Sequence, residues 1–182
     1  MIPALYEENC ALLKFIDKSV QPSLYNDAEN KLKKGLIMSI ASHFENRILT
    51  IIRDYVARAA KADMIIVSLV EQKALTHQYF TYFEWSKPVA GSINNFLRLF
   101  GAKFLDKFKL NIIEDPKLKE AVEAFLSLGG MRNGLAHKNY ALYPIDKTSE
   151  EIYALYLNAK YFVDSFEKEI SRQTAPESGG GL

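Results

Sequence analysis

Arg132, Asn133 and His137 are the residues of this chain whose types and spacing best suit chemistry on a phosphate. They lie within residues 129–141, GGMRNGLAHKNYA, in the pattern R-N-x-x-x-H. The Arg132 guanidinium is always charged and can donate two parallel hydrogen bonds to phosphate oxygens. Histidine, with an ordinary pKa of about 6.5, is the side chain best suited to proton transfer near neutral pH, and His137 supplies an imidazole here. The pattern therefore predicts a site that stabilises phosphate charge and transfers a proton.

Glu45 is a second charged residue at a position that the helical pattern assigns to the core. At roughly 100° of rotation per residue it falls among Ala41 and Leu49, and Arg132 falls on the apolar stripe of a later helix. One interpretation is a structural ion pair between Glu45 and Arg132 that holds two helices in register. The other is a polar site in which Glu45 orients Arg132 beside the imidazole. The amide of Asn133 favours the second.

Five further side chains are candidates for contacting a substrate backbone. Lys138, Asn139 and Tyr140 directly follow the pattern, and the tyrosine could stack on a base. His43 and Arg47 are four residues apart, and so share one side of the helix that carries the acidic residue. A solvated polar edge is the more common meaning of such a pair, and core or interface packing is the more common use of tyrosine.

Lysines and the overall charge give only weak support for nucleic-acid binding. Lys31, Lys33 and Lys34 are interleaved with Leu32, which usually indicates the solvated edge of an amphipathic helix; a patch that tracks an RNA backbone is the alternative. The 23 Lys and Arg residues against 22 Asp and Glu leave a net charge of +1. Any contact with RNA must therefore come from a local patch.

Several other classes of site lack the residues that they need. Cys10 is the only cysteine, so one chain can form neither an internal disulfide nor a cysteine-based zinc cluster, and no His-Glu-x-x-His is present. We therefore expect no metal and no cofactor. The single cysteine suits a reducing cytoplasm. The acidic first residues and the short apolar run at residues 64–70 predict neither secretion nor membrane insertion.

The elements that must position these residues are predicted to be helices, in one domain over residues 1–172 with a disordered tail over 173–182. Residues 64–67 and 79–83 are rich in β-branched and aromatic residues and could form short strands, but we favour helix or helix plus loop. In chain order, the signals predict helices over residues 3–17, from the N-cap Asp27 through Tyr55, from the cap Ser92 through Phe100 to Gly101, from Asp115-Pro116 onward, and from the capping box at 148–151 through Ile170.

The R-N-x-x-x-H pattern late in an all-helical chain of this length resembles the HEPN superfamily, and within it the RiboL-PSP type. The similarity rests on the RNGLAH segment at 132–137, the long helix with SHFENR at 42–47, and a capped final helix about ten residues after the motif. It extends over residues 27–172. The family implies a metal-independent endoribonuclease, often a toxin or a defence effector, that works as a homodimer with motifs from two subunits facing each other across a cleft.

The resemblance also assigns roles by position in the motif. It implies that Arg132 and His137 are catalytic, that Asn133 is the accompanying polar residue and that Glu45 is the acidic residue of the earlier helix. Because RNA supplies its own 2′-hydroxyl nucleophile, the expected product is a 2′,3′-cyclic phosphate. The implied partners are RNA, a second copy of the chain, and an antitoxin or nucleotidyltransferase. Since some family members have lost activity, a non-catalytic module that dimerises or binds nucleotides or a protein is the alternative.

Overall fold

The fold is all-α, as predicted, in a computed structural model that describes residues 1–16, 18–61, 63–75, 79–85 and 93–172. Within these ranges there are seven α-helices and no strand. None of these helices combines the length and the apolar character that crossing a membrane would require. The helices are α1 (Ile2–Phe15), α2 (Pro22–Ala59), α3 (Met64–Val70), α4 (Asn94–Arg98), α5 (Ala102–Glu114), α6 (Pro116–His137) and α7 (Ser149–Arg172).

Helices α2, α6 and α7 form the centre of the bundle. Helix α6 packs along α7, and α2 packs against both. Phe125 of α6 links the three helices, because its ring centroid lies 4.9 Å from that of Phe162 on α7 and 5.8 Å from that of Phe44 on α2. All three phenylalanines are buried. The residues that carry the motif are thus part of a helix that is fixed from two sides.

The long helix α2 begins earlier than expected. The prediction of a start at the N-cap Asp27 is wrong, because the helix starts at Pro22 with Gln21 as its N-cap. Proline suits the first helical position, since its missing N–H would have no partner there and its φ is already helical. Asp27 lies inside the helix and is exposed. Helix α1 ends at Phe15, close to the predicted end at Asp17, which lies outside the described residues.

Two predicted caps are confirmed and fix the starts of α6 and α7. The Asp115 carboxylate accepts hydrogen bonds from the backbone N–H groups of Lys117 (2.9 Å) and Leu118 (3.2 Å). Thr148 and Glu151 form the reciprocal capping box, with distances of 2.7 and 3.2 Å. These caps fix where α6 and α7 begin, and the segment after the motif connects these two helices.

Residues 64–67 and 79–82, for which short strands were the alternative, are helical. Residues 64–67 lie in α3, whose N-cap Asp63 accepts a hydrogen bond of 2.9 Å from the Ile65 N–H. Residues 79–82 form a 3-10 turn, preceded by a π-helical turn at Glu71–Leu75. Gly101 separates α4 from α5 with φ at +94°, a conformation that favours glycine. The predicted cap Ser92 and the predicted tail at 173–182 lie outside the described residues.

Candidate active site at the end of helix α6

Helix α6 continues through the whole R-N-x-x-x-H pattern and ends at His137. Lys138 follows in an extended conformation, and its N–H still donates to the Gly134 carbonyl at 3.0 Å. Asn133 and His137 are therefore one helical turn apart on the same side of α6, as predicted. Arg132 and Asn133 are half-buried, whereas His137 is exposed. The imidazole can reach a substrate in solution without any rearrangement of the helix.

The guanidinium of Arg132 lies on the face of an aromatic ring. Its central carbon is 3.5 Å from the centroid of Phe80, in the 3-10 turn at Tyr79–Tyr82. This is cation–π geometry, which attracts the cation and restricts its position while leaving its N–H groups free to donate along the guanidinium plane. Phe80 was not among the predicted site residues.

The Phe80 turn docks onto α6 at a glycine, which leaves room for an aromatic ring. The Trp85 ring packs so closely on Gly129 that a Cβ at this position would collide with its six-membered ring. The Trp85 indole N–H donates to the Phe80 carbonyl at 3.1 Å. Arg132 is thus supported by a turn that docks onto its own helix three residues earlier. Gly129, a glycine inside a predicted helix, was the available signal for this close approach.

Glu45 lies close enough to Arg132 to influence it electrostatically, but among the described residues the two form no ion pair. Burial raises the pKa of the Glu45 carboxyl, and the Arg132 guanidinium offsets only part of that rise. Burial also raises the pKa of the Tyr79 hydroxyl well above its usual value, and the negative charge of Glu45 adds to this effect. Because the two side chains, both within the described ranges, form no ion pair, the interpretation of a direct structural bridge between Glu45 and Arg132 is wrong.

His43 and Arg47 lie on a different side of α2 from Glu45. The His43 ring packs edge-on against Tyr156 of α7, with 5.9 Å between centroids. Burial lowers the pKa of His43, and neighbouring positive charges lower it further. Arg47 forms an ion pair with Glu167 of α7. The structure therefore does not bring these two candidates together with the motif; it assigns both to the packing of α2 against α7.

The three candidates after the motif lie on an exposed loop. The Lys138 ammonium is 5.5 Å from the ring centroid of Tyr143, and Tyr140 is exposed. The side-chain oxygen of Asn139 accepts a hydrogen bond of 3.1 Å from the Ala141 N–H, which closes a turn of the backbone. That oxygen is thus occupied within the loop, whereas the amide NH2 of exposed Asn139 can still donate to a substrate beside the Lys138 cation and the Tyr140 ring.

Contacts with α6 and with α2 attach this loop to the rest of the bundle. Tyr143 packs onto Gly134, where a Cβ would collide with the phenol ring. Lys34 of α2 donates hydrogen bonds to the carbonyls of Tyr140 (2.8 Å) and Ala141 (3.0 Å). The expectation that Lys34 lies on a solvated edge is wrong, since the residue is only 2% exposed. The helical pattern did not reveal this, because an interior lysine with backbone partners has no signature in sequence.

Chemically, the end of α6 offers a cation for phosphate oxygens, an imidazole for proton transfer and a further cation on the adjoining loop. Within the described ranges, no group of three or more His, Cys, Asp and Glu side chains is arranged to hold a metal ion. The predicted roles of Arg132, Asn133, His137 and Glu45 remain predictions.

Comparison with known proteins identifies the family of the chain. The family model described as RiboL-PSP-HEPN matches residues 4–172, which is nearly the whole length. Neither the curated proteins nor the solved structures gave a match. The R-N-x-x-x-H motif at the end of α6, the long α2 and the capped α7 all lie within the matched region. The chain belongs to the RiboL-PSP-HEPN family.

Proposed function

We propose that this protein is a metal-independent endoribonuclease that acts as a toxin or defence effector. The observation that carries the proposal is the Arg132 guanidinium, fixed over the Phe80 ring on the same helix end that exposes His137. A charge placed at the edge of an apolar bundle needs a counterpart, and a phosphodiester supplies one. Glu45, near Arg132 but not paired with it, leaves the guanidinium free to bind phosphate.

The residue types define a reaction on RNA. The 2′-hydroxyl attacks the adjacent phosphorus while His137 takes its proton, and Arg132 stabilises the negative charge on the non-bridging oxygens. The bond from phosphorus to the 5′-oxygen then breaks, and that oxygen receives a proton from an acid. The products are a 2′,3′-cyclic phosphate and a free 5′-hydroxyl. Asn133, Lys138 and Tyr140 position the strand, through hydrogen bonding, charge and stacking respectively.

A second copy of the chain completes the proposed site. Cleavage uses a base at the 2′-oxygen and an acid at the 5′-oxygen, whereas one motif offers one histidine. A twofold dimer whose interface includes the end of α6 would place an identical motif opposite the first, because such an interface uses the same patch on both subunits. We further propose that the protein acts in the cytoplasm, where an antitoxin or nucleotidyltransferase partner restrains it.

The direct test is cleavage of RNA by the purified protein in EDTA. Arg132→Ala and His137→Ala should each lower the rate by at least about a hundredfold, the usual scale for loss of a charge stabiliser or a proton-transfer group. Lys119→Ala is the matched control, since this lysine is an exposed cation near the other end of the same helix. Equal cleavage by all four proteins would contradict the proposal.

A non-catalytic HEPN module is the second candidate. The observation in its favour is the net charge of only +1, which gives the whole molecule little attraction for RNA. Such a module would dimerise, or bind nucleotides or a protein, through the same surface. Folded wild-type protein that binds one of these ligands but leaves every RNA intact would favour it.

A further inference from the structure

Lys34 is a buried lysine whose partners are backbone carbonyls. Its ammonium lies 2.8 Å from the carbonyl oxygen of Tyr140 and 3.0 Å from the carbonyl oxygen of Ala141. The same ammonium lies 5.5 Å from the centre of the Tyr140 ring. No carboxylate among the described residues forms an ion pair with it. Within the described part of the chain, the neighbouring Lys33 makes one long hydrogen bond of 3.4 Å, to the Ile145 carbonyl, and is half-exposed.

The location of Lys34 is costly and therefore informative. Removing an ammonium from water is unfavourable unless hydrogen bonds replace the lost hydration, and here two consecutive carbonyls do so. Consecutive carbonyls normally point in different directions along an extended chain, so their convergence on one atom requires a specific backbone bend. Asn139 supports the same bend from within, by accepting the Ala141 N–H. Lys34 thus fastens residues 140 and 141 of the loop to α2.

The fastened loop is the one that carries the exposed cation and the exposed aromatic ring next to the motif. Lys138 directly follows His137, and Tyr140 contributes both its carbonyl and its ring face to Lys34. Without Lys34, the loop would keep its contact of Tyr143 on Gly134 but would lose the hydrogen bonds at residues 140 and 141. Binding RNA would then have to order the loop first.

We infer that Lys34 is a positioning residue, which holds residues 138–141 in the conformation that presents Lys138 and Tyr140 to RNA beside His137. This inference rests on the proposed ribonuclease function. Lys34 itself touches no substrate and acts through the loop. Because Arg132 and His137 belong to α6 and not to the loop, loss of the Lys34 hydrogen bonds should weaken RNA binding more than it slows the chemical step.

The kinetic test compares Lys34→Met with Lys34→Arg and Lys33→Met. Lys34→Met keeps the volume but removes the donors, and should raise KM for RNA by roughly tenfold, the scale expected when two side chains must be ordered on binding, with kcat changed less than about twofold. Lys34→Arg can still donate to both carbonyls and should restore most of the lost affinity. Lys33→Met should stay close to wild type. A fall in kcat at constant KM would contradict the inference.

Amide hydrogen exchange tests the same inference without relying on catalysis. Lys34→Met should speed exchange in residues 138–143 while the core of α6 stays protected, and Lys33→Met should not. Unchanged exchange in the loop of folded Lys34→Met would overturn the inference. If Lys34→Met does not fold, Lys34→Gln, whose donors have a shorter reach, replaces it in both measurements. If wild type cuts no RNA but the loop opens in Lys34→Met, the ribonuclease proposal fails while the attachment of the loop by Lys34 stands.

Discussion

At the scale of single residues, the Phe80 ring beneath Arg132 holds the guanidinium in position before any substrate binds. A surface arginine must lose rotamer freedom when it binds phosphate, whereas Phe80 already restricts the guanidinium at 3.5 Å. The ring also shields one face of the cation from water, which strengthens its interaction with an incoming anion.

Replacement of Phe80 tests whether its ring positions the Arg132 guanidinium for binding phosphate. Phe80→Ala removes the ring and should lower kcat/KM for RNA by roughly tenfold, since a partly desolvated cation–π contact contributes on the order of 1–2 kcal/mol. Phe80→Tyr keeps a π face and should retain most of the activity. Cleavage assays on the two variants, with melting curves to verify folding, make the comparison. Equal loss in both would show that the ring acts through packing alone.

Glu45 gives a prediction about stability and pH. Since burial raises the pKa of its carboxyl, the folded protein holds this proton more tightly than the unfolded chain does. The contribution of the group to stability is full below the ordinary carboxyl pKa and is lost as pH rises through the raised value. Glu45→Gln should therefore raise the melting temperature at about pH 7 and leave it unchanged at about pH 3.

The same Glu45→Gln variant separates function from structure. If Glu45 orients Arg132 for catalysis, cleavage should fall even though the protein becomes more stable, because functional sites often sacrifice stability. A lower melting temperature at neutral pH would instead mean that the charge of Glu45 stabilises the fold. Thermal denaturation and cleavage, measured on the same preparation, distinguish these outcomes.

The sequence revealed the polar residues of the site but not the contacts that surround them. Arg132, Asn133 and His137 stood out because their types are unusual on a helix with an apolar stripe. Phe80 did not, because it lies far along the chain, in an aromatic segment whose conformation was ambiguous between helix and strand. Lys34 resembled any lysine of an amphipathic helix. Contacts between distant segments depend on tertiary packing, which local periodicity does not encode.

At the scale of elements, the glycines of α6 explain how a loop and a turn can approach this helix so closely. Gly129 admits the Trp85 ring, and Gly134 admits the Tyr143 ring. Each glycine weakens the helix locally, since alanine is favoured at interior helical positions. The docking of the Trp85 and Tyr143 segments onto α6 offsets that weakness.

Alanine substitutions at two helical glycines should change the free energy of unfolding in opposite directions. Gly35→Ala lies on an exposed part of α2 with no atom within 4 Å of the new methyl group, and should raise the free energy of unfolding by roughly 0.5–1 kcal/mol. Gly129→Ala collides with the Trp85 ring and should lower it by about 1–3 kcal/mol. Urea denaturation measures both. Stabilisation by Gly129→Ala would contradict the close packing of Trp85.

The starts of α6 and α7 were predictable from their polar caps, whereas the start of α2 was not. Asp115 and the Thr148–Glu151 box have side-chain signals that match their hydrogen bonds. The predicted start of α2 was wrong because Asp27 is a good N-cap by type, whereas the helix begins at Pro22, which suits the first helical position. The turn at residues 79–82 depends on Gly129 and Trp85, so only the packed structure fixes it.

At the scale of the whole molecule, the account requires two subunits. Specific activity should fall when the enzyme is diluted below the dissociation constant of its dimer, because a monomer lacks the second motif. Light scattering over the same concentration range gives the fraction of dimer independently. Activity per subunit that stays constant into the monomeric range would remove the dimer from the mechanism.

The central claim is that the end of α6 cleaves RNA through the 2′-hydroxyl with Arg132 and His137. One measurement tests it most directly: an RNA oligonucleotide and its fully 2′-O-methylated counterpart are incubated in EDTA with wild type and with His137→Ala, and the new ends are analysed. The account predicts that wild type cuts only the RNA, leaving a 2′,3′-cyclic phosphate, and that His137→Ala cuts the RNA at least about a hundredfold more slowly. Cleavage of the methylated strand, or undiminished cleavage by His137→Ala, would contradict it.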